Sequence, residues 1–215
     1  MSSKALGMST FKSFLDRRSF WIGSGLVWIL SALTGLGIVL NYETTPGSME
    51  AMPLLWPANS VISHSTEKPE LLMFVHPHCP CSRSSIGQLN ALLASARGKA
   101  DVHVLFVRPQ GFTEEWLHSD LWKSASSIPD VEVLEDSEGM EAKKFHATVS
   151  GQTLLYDRSG RLLFNGGITD SRGHYGDNAG QRAVISFLWT GRADRDRTLA
   201  FGCSLFAPSC PMEPK

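Results

Sequence analysis

Four cysteines in 215 residues are too few to hold a fold together through disulfides. They stand in two close pairs, Cys79 with Cys81 and Cys203 with Cys210, and such spacing in a chain of this length points to redox or metal chemistry. An excess of either charge is also missing. The 20 Lys and Arg against 21 Asp and Glu leave a formal net charge of -1, without the basic footprint that binding to nucleic acid requires. No internal repeat or low-complexity tract is present, and Gly166 and Gly167 lack the Lys-Ser/Thr that completes a phosphate-binding P-loop. With 42% hydrophobic and 19% charged residues, the composition carries no signature of disorder and allows one ordinary domain plus an appendage.

The appendage is marked by another absence. Between Ser19 and Leu40 no residue is charged, and at 1.5 Å per residue a helix of that length crosses a hydrocarbon core of roughly 30 Å. Trp21 and Tyr42 stand near its ends, where amphipathic rings favour the membrane interface. Before it, residues 1–18 carry Lys4, Lys12, Arg17 and Arg18 against the single acid Asp16, whereas Glu43 and Glu50 follow it. This bias predicts a cytoplasmic flank over 1–18, a membrane helix over 19–41 and everything after it outside the cytoplasm, in the periplasm or at the cell exterior. A cleaved secretory signal is the alternative, but the apolar run is long for one and no clear small-x-small site follows. Either way the domain reaches a compartment where disulfides persist. Residues 42–55, with Pro46, Gly47 and Pro53, read as a linker.

The stretch Leu71 to Leu89 organises the rest. Leu71 to Val75 are five consecutive apolar residues, expected as a strand buried on both faces, and they run into a turn carrying His76, Pro77, His78, Cys79, Pro80 and Cys81. After Ser82 the period changes, and Ile86, Leu89, Leu92, Leu93 and Ala96 share one face of a helix. Both thiols therefore sit where a strand hands over to a helix N-terminus, whose unpaired N–H groups favour thiolate. Further along, Val102 to Val107 and Val131 to Leu134 read as strands, with helices expected over Thr113 to Ser124 and Gly139 to Phe145. Thr153 to Asp157 and Arg161 to Phe164 flank Arg158-Ser-Gly160 as a hairpin. A closing helix capped by Asn178 turns Ala183, Val184, Phe187 and Leu188 inward. Strands alternating with helices imply an α/β fold, a central mixed sheet with helices on both faces.

Cys79 and Cys81 read first as a dithiol/disulfide pair, in which Pro80 restricts the turn and strains any bond between them. Strain raises the reduction potential and leans the pair towards oxidising or isomerising partners. His76 and His78 have three readings: imidazoles that tune the thiols, ligands that join Cys79 and Cys81 in holding a soft metal such as copper, or solvated turn residues. His174, in the glycine-rich loop from Gly166 to Gly180, is either a proton donor or acceptor for the site or part of a surface turn. His103 and His146 read as ordinary fold residues. Residues 192–215 form a tail whose apolar positions around Cys203 and Cys210 suggest docking on the domain. Those cysteines allow a local disulfide or a resolving role for Cys203 towards Cys79 or Cys81, and the sequence leaves the choice open.

A strand leading into a cysteine pair at a helix N-terminus, followed by alternating elements, a hairpin and a last helix, resembles the thioredoxin fold over about Trp56 to Gly191. More closely, Phe74-Val-His-Pro-His-Cys-Pro-Cys-Ser82, the run from Thr153 to Thr169 and the run from Ser171 to Gly180 resemble the bacterial membrane-anchored thioredoxin-like proteins labelled RedB. The resemblance implies a thioredoxin-like domain over 56–191; with the membrane helix and the Cys79/Cys81 pair, the first reading is a membrane-tethered thiol-disulfide oxidoreductase, expected to need no cofactor, acting on protein thiols or disulfides outside the cytoplasmic membrane. Copper binding or delivery is the alternative of a different class, and a thiol-dependent peroxidase is a third. Two departures from the wider superfamily stand out: the cysteines are separated by one residue instead of two, and Val149-Ser150-Gly151 occupies the place where thioredoxins keep a cis-proline. The peroxiredoxin pattern is absent as well, because His76 stands three residues before Cys79 where that pattern has threonine.

Overall fold

The computed structural model describes residues 6–206, so Cys210 lies outside the described residues. Two units divide the chain after Tyr42. The first consists of helix α1, which runs Leu6–Thr44 and enters the second unit by two residues. From Ser19 to Thr44 it is long and apolar enough to cross a membrane, and its side chains there are exposed.

The second unit is built on β1 (Glu70–Val75), every residue of which is buried. It pairs in parallel with β2 (Asp101–Arg108) and antiparallel with β4 (Gln152–Tyr156). β3 (Val131–Ser137) extends the sheet beyond β2 in parallel, β5 (Leu162–Gly167) extends it beyond β4 antiparallel, and the order is β3-β2-β1-β4-β5. This is the thioredoxin-like arrangement. The period of two along β1 divides the core: Leu71, Met73 and Val75 pack on one face with α2 (Ser82–Ser95) and α6 (Ala179–Thr190), while Leu72 and Phe74 pack on the other with Phe145, Tyr156 and Leu205. The hairpin expected around Gly160 is formed there, with Asp157 Oδ1 accepting the N–H groups of Ser159 and Arg161 at 2.8 and 2.9 Å. Asn178 Oδ1 accepts from Gln181 N and caps α6 as expected.

Two segments differ from the expectation. The single helix expected over 113–124 is two short ones, α3 (Glu114–Leu117) and α4 (Asp120–Ser126). Ser119 between them is extended and its hydroxyl accepts from Trp122 N, so a new N-cap restarts the helix. α5 (Met140–Lys144) follows β3. Residues 42–55 do not behave as a loose linker: Gly47 N donates to Ala200 O at 2.8 Å, Thr148 Oγ1 donates to Ser48 O at 2.7 Å, and Met52 is buried. Leu54 and Leu55, whose side chains are exposed, provide backbone pairing to the hairpin, since Leu162 N donates to Leu54 O. Residues 196–205, expected to dock, run along β5 and on to the loop before β4 through the bonds Asn165 N to Asp196 O, Thr198 N to Asn165 O and Gly167 N to Leu199 O.

Candidate functional site

The chain leaves β1 in a series of tight turns. Cys79 N donates to His76 O, Ser82 N to Cys79 O, Arg83 N to Pro80 O and Ser84 N to Cys81 O, at 3.1 to 3.4 Å. Cys81 has helical dihedrals and is the N-cap of α2. Pro80 fits this first turn because its missing N–H would have had no helical acceptor. Ser150, buried, ties the turn to the loop before β4: its hydroxyl accepts from His76 N at 2.7 Å and lies 2.7 Å from Ser82 Oγ. Among the described residues no peptide bond is cis, so the Val149-Ser150-Gly151 segment reaches this position on trans bonds, with Gly151 at φ +86° donating to Phe74 O.

Three sulfurs meet here. Cys79 is 0% exposed and Cys81 7%, while Cys203 from the tail is half-buried, its sulfur 3.0 Å from that of Cys79 and its backbone N–H 3.4 Å from the same atom. A disulfide is about 2.05 Å long, so these sulfurs touch without being bonded. The hydrogen bonds from the Cys203 and Cys81 thiols hold the Cys79 thiol far below its ordinary range, against burial, with Ser82 and the Cys203 N–H adding to the effect. Cys81 is pushed the other way. The Cys203 thiol favours its ionisation, but that is outweighed by its hydrogen bond to Cys79, by burial and by the Cys79 charge. The environment thus favours the thiolate at Cys79 and the thiol at Cys81.

His76 lies buried beside them. Burial lowers its pKa, opposed by the Cys79 charge and assisted by His78. Its Nδ1 accepts the His78 N–H at 3.2 Å, so the neutral ring carries its proton on Nε2. His78 is exposed and turned onto Trp116, with Nε2 2.9 Å from the Trp116 carbonyl oxygen and the rings 4.6 Å apart. Among the described residues no group of three or more His, Cys, Asp and Glu side chains is arranged to hold a metal ion. His174 is exposed, and the residue of its loop that reaches the thiols is Arg172. The Arg172 guanidinium donates to Gly202 O at 2.7 Å and to Thr45 O at 3.2 Å, and it favours ionisation of Cys81. Arg172 and Ser150 gave no signal of their own in the sequence. Both lie in segments singled out for other reasons, a glycine-rich loop and a missing proline.

The tail reaches the thiols through an isolated β-bridge. Val149 and Ser204 form an antiparallel bridge, Ser150 N donates to Cys203 O at 2.8 Å, and Leu205 N donates to Thr148 O at 2.9 Å. Gly202 permits the approach: a Cβ there would stand 1.8 Å from Ser150 O.

No family model and no curated protein matches the sequence. Solved structures do match the fold. A hypothetical protein from Sinorhizobium meliloti, 20% identical, superposes with a TM-score of 0.50 over 75% of this chain and 93% of that one. An uncharacterized conserved protein from Geobacillus kaustophilus, also 20% identical, gives 0.52 over 77% and 94%. An exposed lipoprotein thioredoxin from Streptococcus pneumoniae, 15% identical, gives 0.41 over 64% and 98%. At such identities the likeness is one of fold.

Proposed function

We propose that this chain is a membrane-tethered thiol-disulfide oxidoreductase whose reactive group is the Cys79 thiolate, acting on thiols or disulfides of proteins outside the cytoplasmic membrane. The observation that carries the reading is the seat of the Cys79 sulfur, 3.0 Å from the Cys203 sulfur and 3.4 Å from the Cys203 N–H, where donors from Cys203 and Cys81 lower its pKa while that of Cys81 is raised. A thiolate is the nucleophile in exchange, and a sulfur of low pKa is also the better leaving group. The same lowering stabilises the reduced protein, which makes its disulfide the more oxidising and favours electron flow from substrate thiols into the site. Burial beside the site lowers the pKa of His76 and favours its neutral ring. The uncharged helix from Ser19 and its basic flank support tethering with the domain outside, and the resemblance to the RedB proteins agrees.

The test is oxidation of a reduced dithiol peptide by the full-length protein after treatment with oxidised glutathione. Cys79→Ser is expected to fall to the uncatalysed rate, and a variant that keeps the wild-type rate would remove the proposal. Copper analysis of anaerobically purified protein separates it from the copper reading of His76, His78, Cys79 and Cys81, for which stoichiometric metal is expected.

A further inference from the structure

We infer that Cys203 is the relay thiol of the site: the oxidised protein carries a Cys79–Cys203 disulfide, and substrate thiols attack it at Cys203. This rests on the exchange reading above and adds the route by which electrons enter.

Access is the first argument. Cys79 has no exposed surface and Cys81 almost none, whereas Cys203 is half-buried. An external sulfur therefore meets Cys203 before it can meet Cys79. Lifting the tail to uncover Cys79 would break the Ser150 N to Cys203 O and Leu205 N to Thr148 O bonds, release Gly202 O from Arg172 and expose the buried Leu205. Attack at Cys203 needs none of these to break.

Bond formation is the second. The Cys79 and Cys203 sulfurs need to close by only about 1 Å from 3.0 Å to reach bonding distance. Cys81, by contrast, is held two residues after Cys79 across Pro80, in the tight turns that lead into α2. Bonding those two would open the turns that Ser82 N and Ser84 N now close.

The step balances as follows. A substrate thiolate attacks Cys203 Sγ, the Cys79–Cys203 bond breaks with its electron pair leaving on Cys79 Sγ, and a mixed disulfide joins the substrate to Cys203. The second substrate thiol, deprotonated, then attacks the substrate sulfur of that mixed disulfide. The substrate disulfide forms, and Cys203 leaves as thiolate and takes up a proton. Two electrons pass from the substrate dithiol to the protein, which is reoxidised by a small or protein disulfide through the same steps in reverse. Cys79 is suited to leave first because the Cys203 N–H and the Cys81 thiol remain to hold its charge.

The experiment uses the reduced full-length protein equilibrated with oxidised glutathione, alkylated and mapped by mass spectrometry. A Cys79–Cys203 crosslink is expected; a Cys79–Cys81 or Cys203–Cys210 crosslink as the main product would overturn the inference. The oxidised protein is then given limiting reduced glutathione and quenched in acid, where the adduct is expected on Cys203, and an adduct chiefly on Cys79 or Cys81 would overturn it. Cys203→Ser, which is close to isosteric, is expected to lose oxidation of the dithiol peptide; if it keeps the wild-type rate, the relay falls while Cys79 chemistry stands. If Cys79→Ser also keeps that rate, the exchange reading itself falls.

Discussion

The backbone N–H of Cys203 points at the Cys79 sulfur from 3.4 Å while the Cys203 sulfur lies 3.0 Å from that same atom. One tail residue thus gives Cys79 both a donor for its negative charge and a sulfur within reach. The two roles alternate, because the charge exists only when the bond does not.

Gly202 sets that approach. Replacing it with Ala puts a methyl group into Ser150 O and forces residues 202–204 away from the loop before β4. Gly202→Ala is expected to cost about 1–3 kcal/mol in urea unfolding and to reduce the yield of the Cys79–Cys203 crosslink. An unchanged yield would mean that the tail's pairing does not position the sulfur.

The Cys203 side chain is the largest contributor to the lowered pKa of Cys79. Cys203→Ala removes a donor, so the Cys79 ionisation, followed by thiolate ultraviolet absorbance, is expected to move to higher pH, with Cys203→Ser restoring part of the shift through its hydroxyl. In the reduced wild type a depressed folded pKa contributes stability that is present above the unfolded thiol pKa and is lost as pH falls towards the folded one. The stability difference between wild type and Cys203→Ala should accordingly widen with rising pH up to the folded pKa of Cys79 in the variant and stay constant above it.

Much of this arrangement was legible in the sequence. The run from Leu71 to Val75 identified the central strand because a strand buried on both faces has no polar alternation, and Asn178 identified the start of the last helix through capping chemistry. Ser119 was missed because a serine inside an amphipathic stretch signals a cap only once the chain has turned there. The contact of Cys203 with Cys79 was not readable: the residues lie 124 apart in sequence, and their meeting depends on the tail pairing with Thr148 to Ser150, which no local pattern encodes. Arg172 was overlooked for a similar reason, since its partners Thr45, Gly202 and Cys81 come from three separate segments.

His103, expected as an ordinary fold residue, spans the sheet between Glu70, 3.0 Å from its Nε2, and Glu132, 2.9 Å from its Nδ1. Burial opposes its charge, but the hydrogen bond and charge of Glu70, with Glu132 assisting, outweigh that and raise its pKa above 6.5. A raised folded pKa gives stability that is complete below the unfolded value and is lost as pH climbs through the folded one. Urea unfolding of His103→Gln against wild type should therefore show a larger loss at pH 5.5 than at pH 8.5. Equal losses would mean that the imidazole is not charged in the fold.

The most direct measurement is a redox titration of the full-length protein in glutathione buffers, with thiols counted by alkylation and mass at each ratio of oxidised to reduced glutathione. A single two-electron transition that consumes two thiols, one of them Cys79, is expected in the wild type and should be absent from Cys79→Ser. A Cys79→Ser protein that loses two thiols at the same ratio would contradict an active site built on the Cys79 thiolate.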